Sequence, residues 1–297
     1  MRVAEPAILA LDVGGTTIKA ALVRRSGLAI VDRSSGPTDR SDVGGGIRRL
    51  ASELLDRAAA HGVAVEHGAI GVPEYVDGGQ VRSTEVIGWT GEEPAELVEL
   101  VRAASGREIP VVVDSDVRCG ARAEARYAAD TDQSVLYISW GTGISSTFVL
   151  PDGVCWTGAN GRAIALGNWP SAAPGFTVEE FASGDGIARR YRALQQSGAF
   201  PDSAPHSRAP APTTLSLSHR AADGDSAAAG FLAEAGRALA AAVMQAVDLL
   251  DPHVVIIGGG LGTSDSAAPR AAFARLHADA RVSVRRALLG ADSGLLG

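Results

Sequence analysis

The sequence predicts an α/β protein of two like-folded lobes, each organised around a strand–turn–strand unit. Its 297 residues are 46% hydrophobic and 21% charged with 36 glycines, an ordinary globular balance with length enough for two modest domains. Along the chain, short strand-like apolar runs give way to stretches of helical periodicity. The deciding observation is an internal repeat: "VLYISWGTGISSTFVL" (135–150) lies on "ILALDVGGTTIKAALV" (8–23) without a gap, Gly141 falling on Gly14.

The elements follow in order. "AILALDV" (7–13), "TIKAALV" (17–23) and "LAIVDR" (28–33) are apolar or alternating runs separated by Gly and Ser, the pattern of a meander of strands. In "GIRRLASELLDRAAAHG" (46–62), Ile47, Leu50, Leu54, Leu55 and Ala58 recur at helical spacing and Gly62 supplies the stop. "HGAIGVP" reads as a buried strand, "PAELVELVRAASG" (94–106) as a helix with Pro94 in its first turn, and "IPVVVDSD" (109–116) as a strand. The second half opens with the repeated hairpin. A Pro, Ser and Ala-rich stretch, 198–214, reads as a surface loop. "FLAEAGRALAAAVMQAVDLLDP" is a long helix ended by Pro252, "HVVIIGGGLG" a strand running into three glycines, and "RVSVRRALLGADSGLLG" (281–297) a strand with a closing segment.

Net charge is −7, which disfavours nucleic acid and anionic lipid as partners. Two cysteines, Cys119 and Cys155, are too few for a disulfide framework or a thiolate zinc site and read as small core residues. The first residues lack the apolar region of a signal peptide, and no apolar run approaches the ~20 residues of a membrane span, so a cytoplasmic protein without membrane contact is expected.

Three glycine turns close strands: "DVGGTT" (12–17), "WGTG" (140–143) and "IGGGLG" (257–262). Glycine lets backbone N–H groups approach an anion where a side chain would obstruct them, and three such turns, one of them duplicated, favour a phosphate site over chance bends. None fits the P-loop or dinucleotide fingerprint. Asp12, just before the first turn, is suited to Mg²⁺ held through water, or simply to capping the turn. Lys19 is the only lysine in the chain. It is a compact charge suited to a phosphate, or a solvent-facing residue of an alternating strand.

"LALDVGGTTIKAALV", "VVVDSDVRCGARAEARYA", "WGTGI", "EEFASG" and "LLDPHVVIIGGG" together resemble the ROK family of sugar kinases and sugar-responsive repressors, within the actin, heat-shock chaperone and sugar kinase superfamily. That resemblance implies a two-lobed actin-like fold of duplicated βββαβα domains with an interlobe cleft where ATP and sugar meet. The N-terminal lobe would take 1–115, completed by 281–297, and the C-terminal lobe 116–280. Gly14, Gly15, Thr16 and Thr17 would lie under the terminal phosphates with Lys19 beside them. Gly141, Thr142 and Gly143 would meet the phosphates from the other lobe, and Gly258, Gly259 and Gly260 would lie near adenosine. A homodimer is implied as well.

The family's "NDAN" helix start aligns with Ser115, Asp116, Val117 and Arg118, with Glu124 on the pattern's closing Glu. Asp116 then takes the catalytic aspartate's place, where a carboxylate held at a helix N-terminus would accept the proton of an attacking sugar hydroxyl. Asp114 is its local rival, and helix capping the plainer role for "DSD". The family's zinc motif aligns with "IALGNWPSAAPGFTVEE", where Ala165 stands at the sugar-binding Glu, Asn168 at the zinc His, and no cysteine occurs, so no structural zinc is expected. Glu179 keeps a further family Glu. Glu74 replaces a glycine in "GVPEYVDGG".

Ser115, Asp116, Asn168, Glu179 and Glu74 are therefore the expected substrate residues. A carboxylate gained at 74 and one lost at 165 point to an amino-bearing or otherwise modified substrate, a kanosamine-like 3-amino hexose or a C7 cyclitol, phosphorylated at a primary, 6-type hydroxyl. The alternatives are a glucokinase using ATP or polyphosphate, a sugar-binding pseudoenzyme, and a regulator. Only about six residues precede the first strand, leaving no room there for a helix-turn-helix DNA reader.

Overall fold

The computed structural model describes residues 4–84, 86–88, 98–99, 101–103, 105–106, 108–128, 132–197, 213–279 and 281–297. The helix expected over 94–106 falls largely outside them, as do Trp89, His206 and residues 198–212 of the Pro-rich stretch. The chain divides into two compact units, one of Met1–Ala123, Thr157–Ala163 and Asp292–Gly297, the other of Glu124–Trp156 and Ile164–Ala291.

In the first unit β1 (Glu5–Val13), β2 (Thr17–Arg24) and β3 (Ile30–Pro37) form the expected meander, and β4 (Val63–Val72) and β7 (Val111–Ser115) extend it in parallel, in the order β3-β2-β1-β4-β7. A small hairpin, β5 (Val76–Asp77) and β6 (Gln80–Val81), stands apart from this sheet. Helix α1 (Val43–Ala58) begins where the Asp42 carboxylate caps the amide of Gly45. Its apolar stripe of Val43, Ile47, Leu50, Ala51, Leu54 and Ala58 is buried with Leu9, Leu11 and Val13 of β1. On the other face of the sheet Ala10, Ala21 and Val23 pack with Leu295.

The second unit repeats the plan. β8 (Val135–Trp140) and β9 (Ile144–Val149) form the hairpin, β10 (Cys155–Trp156) its outer edge, and β11 (Val254–Gly258) and β12 (Ser283–Arg286) the parallel half, in the order β10-β9-β8-β11-β12. Both glycine turns of the repeat thus close equivalent hairpins, which is the duplicated architecture read from residues 8–23 and 135–150. Its core helix, Ser226–Leu250, ends at Asp251 in the left-handed region (φ 46°) just before Pro252. By length and composition alone this helix would pass for a membrane span, although Glu234, Arg237 and Asp248 interrupt its apolar residues. Thirteen of its residues are buried, and a Cβ on Gly236 would collide with the Ala268 carbonyl of the neighbouring helix Ala267–His277.

The boundaries differ from 1–115, 116–280 and 281–297 for two hydrogen-bonding and packing reasons. β12 pairs with β11 from Val254↔Ser283 to Ile257↔Arg286, so only Asp292–Gly297 of the closing segment joins the first unit. Thr157–Ala163 joins it as well, because Gly161 (φ 70°) packs on the Val76 backbone and the Arg162 guanidinium lies 5.2 Å from the Tyr75 ring centroid.

Candidate active site

In the first unit β1, β4 and β7 run in parallel, with Asp12, Gly71 and Asp114 in one row across the sheet. Gly71 permits the close packing beyond that row: a Cβ there would stand 3.5 Å from the Asp116 Cα and 3.7 Å from the Leu11 carbonyl oxygen. Asp116 opens the helix α2 (Asp116–Ala128) directly after β7. Burial, and then the Asp12 carboxylate, push its carboxyl up to about 7; the Val117 amide (2.6 Å) and the Ser115 hydroxyl pull the other way, and Glu74 adds a smaller upward push. The group is therefore poised to exchange a proton near neutral pH.

Its rival is otherwise engaged. Asp114 accepts from Arg118 Nε at 2.7 Å, from the Ser115 amide at 2.8 Å and from Arg122 Nη2 at 2.6 Å. Arg118, at the family's second Asn, is 4% exposed and also donates to the Val76 carbonyl. Asp114 is thus a structural carboxylate fixing the β7–α2 junction. Glu124, near the far end of α2, accepts from the Leu288 and Leu289 amides at 2.9 and 2.8 Å and is likewise structural. Cys119 and Cys155 are buried, and burial pushes the Cys119 thiol up to about 12.

The first glycine turn has its carbonyls tied back. Gly14 donates to the Thr17 carbonyl (2.9 Å), while Thr38 Oγ1 donates to the Gly14 carbonyl (2.7 Å) and the Thr38 amide to that of Thr16 (3.0 Å). The amides of Gly15 and Thr16 meet no acceptor among the described residues, and the turn is solvent-accessible at Thr16 and Thr17. Such a nest receives anions. Lys19 lies behind it, its Nζ 3.1 Å from Asp12 Oδ2. Gly294 backs the same carboxylate: a Cβ there would stand 2.7 Å from Asp12 Cγ.

Glu74 faces inward, at 4% exposure. Its Oε1 accepts from the Val86 and Ile87 amides, both at 2.8 Å, and Oε2 from the Ser83 hydroxyl, which itself accepts from the Tyr75 amide. The carboxylate pins the 83–87 segment, whose Val86 methyl would lie 3.2 Å from a Cβ on Gly15. Its influence on the turn therefore runs through Val86.

In the second unit the other two turns adjoin, a Cβ on Gly141 falling 3.9 Å from the Gly260 amide. Gly184 and Asp185 donate to the Gly141 and Thr142 carbonyls at 2.9 and 3.0 Å, and the amides of Thr142 and Gly143 meet no acceptor among the described residues. Glu179 accepts the Ile144 amide at 2.6 Å, and a Cβ on Gly143 would approach its Oε2 to 2.8 Å. Glu179 is thereby a support of the turn. Gly258 is packed under the Tyr137 hydroxyl, Gly259 (φ 78°) against the Trp140 backbone, and Gly260 is open.

The sequence profile described as "ROK family" matches residues 8–297, nearly the entire chain that forms these turns. The chain belongs to the ROK family. The bifunctional enzyme NanE/NanK of Brucella melitensis is 33% identical over 98% of this ROK chain and 52% of its own length, so the chain spans about half of that relative. The N-acetylmannosamine kinase of Yersinia pseudotuberculosis is 28% identical over 97% of the chain and 96% of its own. The crystal structure of a ROK family glucokinase from Streptomyces griseus in complex with glucose and AMPPNP superposes with a TM-score of 0.76 at 25% identity, covering 98% and 97% of the two chains.

Within the ROK frame Ala165 precedes a 3₁₀ turn, Leu166–Asn168, and Asn168 is exposed. Among the described residues no three His, Cys, Asp or Glu side chains gather as a metal cage. A donor set of one or two carboxylates, Asp12 near Asp116, fits Mg²⁺, which keeps most of its own waters. Thr38 and the carbonyl-binding amides of Gly184 and Asp185 had no signal in the sequence, since their partners are remote along the chain.

Proposed function

We propose that this ROK protein is an ATP-dependent carbohydrate kinase transferring the γ-phosphate to a primary hydroxyl of a hexose-like substrate. The observation that carries it is Asp116: a carboxyl poised near neutral pH in the same compact unit as a glycine turn with two amides that meet no acceptor among the described residues. As the sugar oxygen bonds to the γ-phosphorus, its proton passes to Asp116, the bond from phosphorus to the β,γ-bridging oxygen breaks, and ADP leaves. Gly14–Thr17 and Gly141–Gly143 would receive the phosphates and Gly258–Gly260 adenosine. Asp12 would hold Mg²⁺ through water, the ion supplying charge neutralisation to the phosphates.

The substrate we favour is a modified sugar, a 3-amino or N-acylated hexose or a C7 cyclitol. The named activity of the Yersinia relative and the family Glu replaced by Ala165 support this, since a missing acceptor penalises a substrate that presents a hydroxyl there. Glu74, bound to the 83–87 segment, adds no support for an ammonium contact. Glucose is the second reading, favoured by the Streptomyces glucokinase. Phosphate transfer from ATP to glucose, N-acetylmannosamine, a 3-amino hexose and a C7 cyclitol, with Asp116→Asn as control, tests both. Preference for glucose over every modified sugar refutes the first, and no transfer to any of them refutes the kinase.

A further inference from the structure

If the turn at Gly14–Thr17 receives a phosphate, a cationic side chain would hold it directly, alongside the proposed Mg²⁺, and Lys19 is committed to Asp12. Arg40, in the segment between β3 and α1, stands beside the turn instead: its Nη2 lies 3.8 Å from the position of a Cβ on Gly15. Arg40 is exposed and has no ion-pair or hydrogen-bond partner among the described residues. The acids flanking it are turned elsewhere. Asp39 Oδ1 accepts from the amide and hydroxyl of Ser41 at 2.9 and 2.6 Å, and Asp42 Oδ1 accepts from the Gly45 amide at 2.9 Å.

A guanidinium that meets no carboxylate among the described residues, next to two amides that meet no acceptor among them, is an incomplete anion site made of donors. Thr38 strengthens it, because by holding the Gly14 and Thr16 carbonyls it removes the acceptors that would repel an oxyanion. Thr38 and Arg40 lie two residues apart, so the segment that shapes the turn also delivers the charge.

We infer that Arg40 is the residue that binds the terminal phosphate of the phosphoryl donor at the Gly14–Thr17 turn, and so selects polyphosphorylated donors over monophosphates. This rests on the kinase reading above for its ligand. The planar fork of arginine suits two phosphate oxygens at once, whereas lysine offers a single point.

Arg40→Ala and Arg40→Lys are titrated at equilibrium, without acceptor sugar, against a non-hydrolysable ATP analogue, AMP and inorganic tripolyphosphate, with Arg25→Ala as the control for net charge. Arg40→Ala should weaken the ATP analogue and tripolyphosphate by ~10- to 100-fold and leave AMP unchanged, with Arg40→Lys between. Thermal unfolding should not change, because Arg40 has no partner among the described residues. Unaltered binding of both polyphosphorylated probes, or equal weakening of AMP, overturns the inference and leaves the kinase reading standing. Tripolyphosphate binding that depends on Arg40, in a protein that ignores ATP, sustains the inference and removes ATP as donor. A wild-type protein that binds neither probe overturns both.

Discussion

Lys19 lies directly across the β1–β2 ladder from Asp12, its ammonium 3.1 Å from the carboxylate that raises the proton affinity of Asp116. The chain's only lysine thereby balances the charge beside the proposed base. With the pair partly exposed, Lys19→Met should change stability by no more than ~1 kcal/mol. Its kinetic effect should be clearer: an unbalanced Asp12 pushes Asp116 further up, so the acid limb of kcat/KM against pH moves to higher pH. A limb that stays in place would leave Lys19 no electrostatic role.

Asp116 makes two linked predictions. Activity should rise with pH through about 7 as the carboxyl ionises, and Asp116→Asn should lose that limb along with ~10²- to 10⁴-fold in kcat. Stability runs the opposite way. A folded-state value above the unfolded one means the proton is held more tightly in the native protein, so the wild type loses stability as pH rises from about 4 to about 7. Asparagine carries no such penalty. The variant should gain about 2 to 8 °C in Tm over the wild type at pH 8 and nothing at pH 4.

Glu74 separates a substrate contact from a structural one. Glu74→Ala strands the Ser83, Val86 and Ile87 donors and should cost about 1 to 3 kcal/mol in denaturant unfolding. Glu74→Gln keeps the shape and removes a charge that pushes Asp116 up, so the acid limb should move slightly to lower pH. KM for an amino hexose and for glucose should then change alike. A loss confined to the amino sugar would restore direct recognition by Glu74.

What was legible in the sequence was periodic or local. The hairpin repeat shows in residues 8–23 and 135–150 because equivalent strands need equivalent apolar positions, and Asp116 shows because a strand end, an acid and a helix start are neighbours in the chain. Contacts made through space left no trace. Thr38 meets Gly14 from 24 residues away, and Glu74 meets Ile87 from 13 residues away, across the β5–β6 hairpin. By the same limit the sequence offers Glu74 as a substrate residue and Asp114 as a competitor of Asp116, since neither Ser83 nor Arg118 announces its partner. The unit boundaries differ from those expected of the sequence for a similar reason: the pairing of β12 with β11 and the packing of Gly161 on Val76 are decided by neighbours far along the chain.

Glu179 and Gly143 give the most stringent test of how the second turn is held. Glu179 Oε2 takes the Ile144 amide at 2.6 Å and occupies the space a Cβ on Gly143 would need. Glu179→Ala should release the turn and weaken an ATP analogue roughly tenfold, about what one charge-assisted hydrogen bond contributes. Gly143→Ala should do comparable damage by displacing the carboxylate. If both act through that one contact, the double variant should bind little worse than either single one, because the new methyl enters space the glutamate has vacated. Losses that multiply would mean that Glu179 and Gly143 serve the nucleotide independently, and the picture of Glu179 as a prop beneath the turn would fall.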